Sequence, residues 1–215
     1  KNIFNTVKIP GISLSSANSI NIGRLIPQVV YYIYTYICLV NKGKIKYGEK
    51  INFSVPTGNF GNILACYIAK MLGTPINHVI CASNKNNVLT DFFKTGEYNA
   101  NRPFYVTNSP SMDILVSSNL ERLLYLMTND KNYVKELMQS LNQNGSYKVN
   151  KDLFSELQNI DATYVDEEET KQAIKELYYN KGILIDPHTS VAYTGYLKAR
   201  PNGYTICVST ASPYK

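Results

Sequence analysis

One stretch constrains the fold more than any other: Phe53-Ser-Val-Pro-Thr-Gly-Asn-Phe-Gly-Asn62, followed by ILACYIAKMLG. It reads as a short buried strand, a turn bearing two glycines, and a helix that ends at Gly73. Such a unit aims the unpaired first-turn N–H groups of the helix, at the positive end of its dipole, toward one spot. Phosphate is the natural occupant. Gly58 and Gly61 let the backbone approach closely, and Asn59 and Asn62 add side-chain donors. No Gly-Lys-Ser/Thr closes the loop, so it is not a Walker A loop. Nor is it a dinucleotide fingerprint, since the spacing is GxxG and no acidic residue stands about 20 positions on. Taken alone, the loop is explained equally well as a phosphate cup and as a tight strand–helix turn.

The surrounding chain repeats the alternation. A helix over Ile22–Val40 stops at Asn41-Lys-Gly43 and carries Pro27 near its first turns, where proline does least harm. Strand 51–55 and helix 61–72 are followed by strand His78–Ala82 and a helix over Val88–Lys94 closed by Gly96. Buried strands alternating with helices predict an α/β fold: three layers, with an open, mainly parallel sheet covered by helices on both faces. From Ser117 to Asn180 the pattern turns helical, through Leu120–Met127, Tyr133–Leu141, Leu153–Leu157 and Glu167–Tyr179. A helical insertion over 117–180 is therefore expected within an α/β domain made of 1–116 and 181–215. The acidic run Asp166–Glu169 complements the dipole of a helix ending at Gly182 and is not read as a metal site. After Gly182 strand and loop character returns, ending in a strand over Thr205–Val208.

Composition narrows the function classes. The chain has 215 residues, 44% of them hydrophobic and 18% charged, which suits one large globular domain and not a disordered segment. The net charge of +6 comes without a dense Lys/Arg stripe, so no nucleic-acid partner is expected. Cys38, Cys66, Cys81 and Cys207 sit in apolar runs without CxxC spacing, which predicts buried free thiols in a reducing, cytoplasmic setting. Only His78 and His188 could join them around a metal, and neither has ligand spacing, so no metal is expected. The run Leu25–Val40 contains Pro27, Gln28, Thr35 and four tyrosines and falls short of the ~20 apolar residues of a membrane span. A buried helix, and no membrane partner, is the expectation. The chain opens on Lys1, with a polar and irregular stretch over 1–21, and closes on a strand and its loop, so a fragment is expected.

Three further constellations bear on chemistry. In Ser16-Ala-Asn-Ser-Ile-Asn-Ile-Gly-Arg-Leu25, Asn18 and Ser19 fall at or just before the first helix, and Arg24 lies about one turn in. Capping explains either Asn18 or Ser19; a guanidinium fork beside a helix N-terminus makes a second anion site. In Ile185-Asp-Pro-His-Thr-Ser-Val191, Asp186 and His188 suit acid–base work, while Asp-Pro is also ordinary turn chemistry. Ser209 and Thr210 place hydroxyls at the C-terminal end of a strand, where open α/β sheets bind ligands.

Together, and in this order, SANSINIGRL, VPTGNFGNILA, SNKNNVLTDFFKTGEY, SPSMDI, DPHTSVAY and STASPYK resemble threonine synthase, a pyridoxal 5'-phosphate enzyme of fold-type II. The likeness spans nearly the whole chain and is weakest over 117–180. It implies that Gly58, Asn59, Phe60, Gly61 and Asn62 hold the phosphate of pyridoxal phosphate. It also implies that Thr210, or failing that Ser209, meets the pyridine nitrogen. The NSxNxxR element, Asn18, Ser19, Asn21 and Arg24, resembles the family's site for the phosphate of O-phosphohomoserine, and Asp186 and His188 are grouped with the substrate site. The implied reaction turns O-phospho-L-homoserine and water into L-threonine and phosphate, the last step of threonine biosynthesis.

The family's Schiff-base lysine lies in a Phe-Lys-Asp type motif upstream of all these segments. Here only Lys94 follows a phenylalanine, downstream of the phosphate loop. The lysine is therefore expected outside this chain, and the chain alone is expected to be inactive, as a monomer or a homodimer. Two rival readings are another fold-type II enzyme (a serine/threonine dehydratase or a cysteine synthase) and a non-catalytic module that cradles a phosphorylated metabolite. The first would not need the Asn18/Ser19/Arg24 site.

Overall fold

The computed structural model describes residues 10–11 and 18–214. Most of the irregular N-terminal stretch, including Ser16 and Ala17, lies outside the described residues. In chain order the elements are α1 (Ile22–Asn41), β1 (Ile51–Pro56), α2 (Gly61–Met71), β2 (Ile76–Ser83), α3 (Val88–Thr95) and β3 (Glu97–Asn99). A 3-10 turn (Pro110–Met112) leads to α4 (Leu120–Thr128), α5 (Lys131–Asn144), β4 (Ser146–Lys148) and α6 (Lys151–Leu157). Then come β5 (Ile160–Tyr164), α7 (Glu167–Lys181), α8 (Pro187–Ala199) and β6 (Thr205–Cys207).

All six residues of β1 are buried, as expected of a central strand with both faces covered. It pairs in parallel with β2 on one side and β6 on the other, and β5 completes the sheet in the order β5-β2-β1-β6. Apolar residues of α1–α6 and the sheet form the main core, while Ala82, Met112, Val165 and Val191 form a second cluster where α8 packs. The predicted parallel sheet between helical layers is present. β3 and β4 make a separate antiparallel pair.

Helix α1 places Leu25, Val29, Tyr32 and Tyr36 on its inner side, and Tyr32 meets Phe53 edge-on at 4.9 Å. Its other side is apolar too: Ile22, Ile26, Val30, Tyr31, Tyr34 and Ile37 are exposed. The expected buried helix is therefore buried on one face only. Among the described residues, no helix is long and apolar enough to cross a membrane.

Two expectations are corrected. The segment 117–180 is not a helical insertion alone: the predicted helices are there, but so are β4 and β5, and β5 lies in the main sheet against β2. Ile160-Asp-Ala-Thr-Tyr164 is short and mostly polar because it is an edge strand, so it lacks the apolar run that marks β1. The second correction concerns 187–199, which forms α8 and not strand and loop. Asp186 is its N-cap and Pro187 its first residue, a pairing that starts helices as readily as turns. Thr189, Val191, Thr194 and Gly195 weaken its local helix preference, and burial from His188 to Ala192 hides the amphipathic period.

Of the four thiols, Cys66 and Cys81 are buried but Cys38 and Cys207 are only half-buried. Burial pushes the Cys81 thiol up to about 12 and that of Cys207 to about 11, and raises Cys66 further. Iodoacetamide at pH 8 is thus expected to leave Cys66 and Cys81 unmodified in the folded chain and to alkylate both after denaturation. Peptide mass mapping reads this directly; modification of either in the native state would contradict the packing around them.

Candidate functional site

The glycine loop is shaped by one unusual residue. Phe60, at the N-cap of α2, has φ 63 and ψ 1, a left-handed conformation that bulky side chains rarely adopt. Packing holds it there: the ring is buried and stacks on Phe93 at 5.8 Å. Phe60 offers no side-chain cap, and the first turn of α2 has no acidic residue. The first-turn N–H groups of Gly61, Asn62 and Ile63 therefore have no side-chain cap in front of them. Gly61 and Asn62 line a cavity of about 420 Å³ whose wall also includes Gly58, Asn59 and Phe60.

The other wall of that cavity carries Asn18, Ser19, Arg24 and Gln28. The two expected anion sites are thus faces of a single cavity. Asn21 does not line it; its Oδ1 accepts from Gly23 N at 2.8 Å and caps α1, while Asn18 Oδ1 accepts from Ile20 N at 3.1 Å. Every polar residue in this run is a competent cap, and only the position of the helix start decides which one serves. Gly58 is needed for contact and not for its φ, since a Cβ there would lie 2.9 Å from Met112 Cα and 3.0 Å from Ser111 O. The Tyr32 hydroxyl, buried within α1, donates to Asn62 Oδ1, which turns the NH₂ end of that carboxamide away from α1.

A second cavity of about 480 Å³ adjoins the first, and Gln28 and Asn62 line both. Its far side is the C-terminal end of β6, with Ser209 and Thr210. The Ser209 hydroxyl lies 2.9 Å from Thr189 Oγ1, and Thr189 donates its own proton to Asp186 Oδ2. The proton of Ser209 is therefore committed to Thr189.

Asp186 and His188 line neither cavity. Asp186 is 2% exposed and caps α8, accepting from the N–H groups of His188 at 2.8 Å and Thr189 at 3.3 Å. It also accepts from His188 Nδ1 at 2.9 Å, while His188 Nε2 accepts from Ser111 N at 3.3 Å. These partners fix the neutral Nδ1–H tautomer, with both ring nitrogens occupied. Burial pushes the Asp186 carboxyl up, but hydrogen bonds from Thr189 and His188 outweigh it and hold the group below the usual carboxylate range. The pair forms a brace that holds Ser111 in the wall of the first cavity and, through Thr189, Ser209 in that of the second.

Asp113 is a hub that the sequence reading did not single out. Its Oδ1 accepts from Asn84 Nδ2 at 2.7 Å, Asn86 Nδ2 at 3.0 Å and Thr107 Oγ1 at 2.7 Å, and its Oδ2 from Thr107 N at 2.9 Å. This network fastens the 105–113 loop over the end of β2 and so places Ser111 and Met112 against Gly58. The segments SNKNN and SPSMDI were visible, but their partnership spans too many positions to be read locally. Among the described residues, no group of three or more His, Cys, Asp or Glu is placed to hold a metal.

No protein-family profile matches the chain. It is 37% identical over 223 residues to the threonine synthase of Saccharomyces cerevisiae, covering 94% of this chain and 43% of that protein. The structure of pyridoxal-phosphate-bound threonine synthase from Brucella melitensis superposes with a TM-score of 0.90 at 35% identity, over 99% of this chain and 45% of that one. The chain is a threonine synthase homologue. It is also 46% identical over 207 residues to the human protein named threonine synthase-like 1, covering 95% of this chain and 28% of that protein. The homologue spans less than half the length of each of these relatives. Its fold is that of the fold-type II pyridoxal-phosphate enzymes.

Proposed function

We propose that this threonine synthase homologue provides the phosphate-binding part of a site that converts O-phospho-L-homoserine and water into L-threonine and phosphate with pyridoxal 5'-phosphate. One observation carries the reading: a helix N-terminus without a side-chain cap and an Asn/Ser/Arg element line the same cavity. The donor set fits two phosphates and contains no carboxylate among the residues lining that cavity. Gly61, Asn62 and Ile63 would offer backbone N–H groups to the cofactor phosphate, with Asn59 and Asn62 adding side-chain donors. Arg24, with Asn18 and Ser19, would hold the substrate phosphate and receive its growing charge as it leaves. When bound, the cofactor supplies an electron-withdrawing ring that stabilises negative charge on substrate carbons. Thr210 is the better hydroxyl for the ring nitrogen, because the Ser209 proton is engaged with Thr189. Asp186 and His188 serve by positioning Ser111 and Ser209.

Among the described residues, no lysine lines either cavity. That favours a second reading for the chain taken alone, a non-catalytic binder of phosphorylated metabolites, with the cofactor-anchoring lysine supplied elsewhere in a longer polypeptide. The test uses the longest native polypeptide containing this chain, loaded with cofactor. It is expected to release inorganic phosphate from O-phosphohomoserine, and Arg24→Ala is expected to raise KM roughly 10- to 100-fold, the worth of one or two charge-assisted hydrogen bonds. Turnover of L-serine with none of O-phosphohomoserine would replace this reading with the dehydratase one. Tight cofactor and ligand binding without turnover of either would leave the binding module.

A further inference from the structure

The segment between the two phosphate-binding walls is tied by one residue. Asn119 is fully buried, at 0% exposure, although it immediately precedes α4 in a part of the chain far from both walls in sequence. Its Nδ2 donates to Ser19 O at 3.0 Å and to Asn59 O at 2.9 Å. Its backbone N–H donates to Asn59 O as well, at 3.2 Å. Arg122 completes the tie, with Nη1 donating to Asn119 Oδ1 at 2.7 Å and Nη2 to Ile20 O at 2.7 Å. The orientation of the carboxamide is determined by chemistry: a guanidinium has only donors and two carbonyls are only acceptors, so no flipped amide satisfies the three partners. One side chain therefore spans the segment that leads into α1 and the loop that leads into α2.

We propose that Asn119 is a positioning residue that holds the Asn18–Arg24 wall and the Gly58–Asn62 loop at a fixed separation, so that ligand binding at both walls depends on this one side chain. The proposal rests on the two-phosphate reading above for its ligands, while the clamp itself is independent of it. Asparagine is specific here. Leucine has nearly its shape but no donors, and aspartate would set a carboxylate against two carbonyl oxygens.

The experiment uses the longest native polypeptide containing this chain, with pyridoxal 5'-phosphate and a non-hydrolysable amino-acid phosphonate as probes. In Asn119→Leu, both dissociation constants are expected to rise about tenfold. In Arg24→Ala only the phosphonate constant rises. Amide hydrogen exchange without ligands is expected to quicken together at Ile20–Leu25 and Asn59–Asn62. If Asn119→Leu fails to fold, Arg122→Gln, at a half-buried position, decides, with a rise of about threefold in both constants and the same paired exchange signature. Wild-type affinity for both probes, or loosening of one wall alone, overturns the clamp. Should the wild type bind neither probe, the functional reading falls, and the paired or unpaired change in exchange still decides the clamp.

Discussion

Asp186→Ala is expected to lower folding stability by about 3 kcal/mol. The change removes the N-cap of α8, worth about 1 kcal/mol, and a charge-assisted set of bonds worth about 2 more. It also strands His188 Nδ1–H and the Thr189 hydroxyl in a buried place without their acceptor. Urea midpoints of wild type and variant measure the loss, and a difference below about 0.5 kcal/mol would show that the brace is not needed for the fold. The effect has a pH signature. The carboxyl is held below its ordinary value, near 3.9 in an unfolded chain, so its stabilising contribution is complete above that pH and disappears as pH falls through the folded value. The gap between wild type and Asp186→Ala should therefore be constant from pH 5 to 7 and narrow below about pH 4. A gap that widened in acid would have the wrong sign for this mechanism.

Gly195→Val is expected to cost a similar amount, about 3 kcal/mol, by overpacking. At this residue α8 crosses the sheet so closely that a bare Cβ would sit 2.8 Å from Ala82 Cβ and 2.9 Å from Thr163 Oγ1. Both neighbours are strand residues, in β2 and β5, and the Ala82 Cβ cannot move without the sheet. Valine adds two methyl groups to that clash. The milder pair Gly195→Ala and Ala82→Gly gives an internal check, because removing the Ala82 methyl should return part of what the Gly195 methyl costs. A double-mutant cycle with zero coupling would place the cost elsewhere. Since α8 carries the Asp186 brace at its start, Gly195→Val should also loosen Ser111 and Ser209.

How far the fold was legible depended on how local its causes are. β1 and α2 could be read because Ile51, Phe53 and Val55 mark a short buried strand, and because the glycines that follow have few other uses. α3 was legible for the same reason, closed by Gly96 at φ 74. α8 was not, because the same Asp-Pro that caps it also makes turns, and its buried face is too wide to show a period. β5 was missed because an edge strand of five residues needs only Ile160 fully buried. The Gly58–Asn62 loop and the Asn18–Arg24 element were each visible, but their meeting at one cavity was not. Asn119 reaches Ser19 across 100 positions and Asn59 across 60, so nothing near it in the chain announces its role. For Asp186 and His188 the sequence left acid–base work and turn chemistry both open, and the contacts that bear on the choice, to Thr189 and to Ser111, are made in three dimensions.

The edge strand β6 is three residues long, and the residues it pairs, Asn52 with Thr205, stand 153 positions apart. A contact so distant along the chain returns little until nearly everything between its ends has been ordered. The β1–β2–α2 unit, whose partners are neighbours in sequence, can assemble long before. The Gly58–Asn62 loop is thus expected to form early in folding, and the strand end with Ser209 and Thr210 late. On the proposed reading of the site, a refolding chain is expected to gain affinity for inorganic phosphate before it gains any preference for the pyridoxal ring.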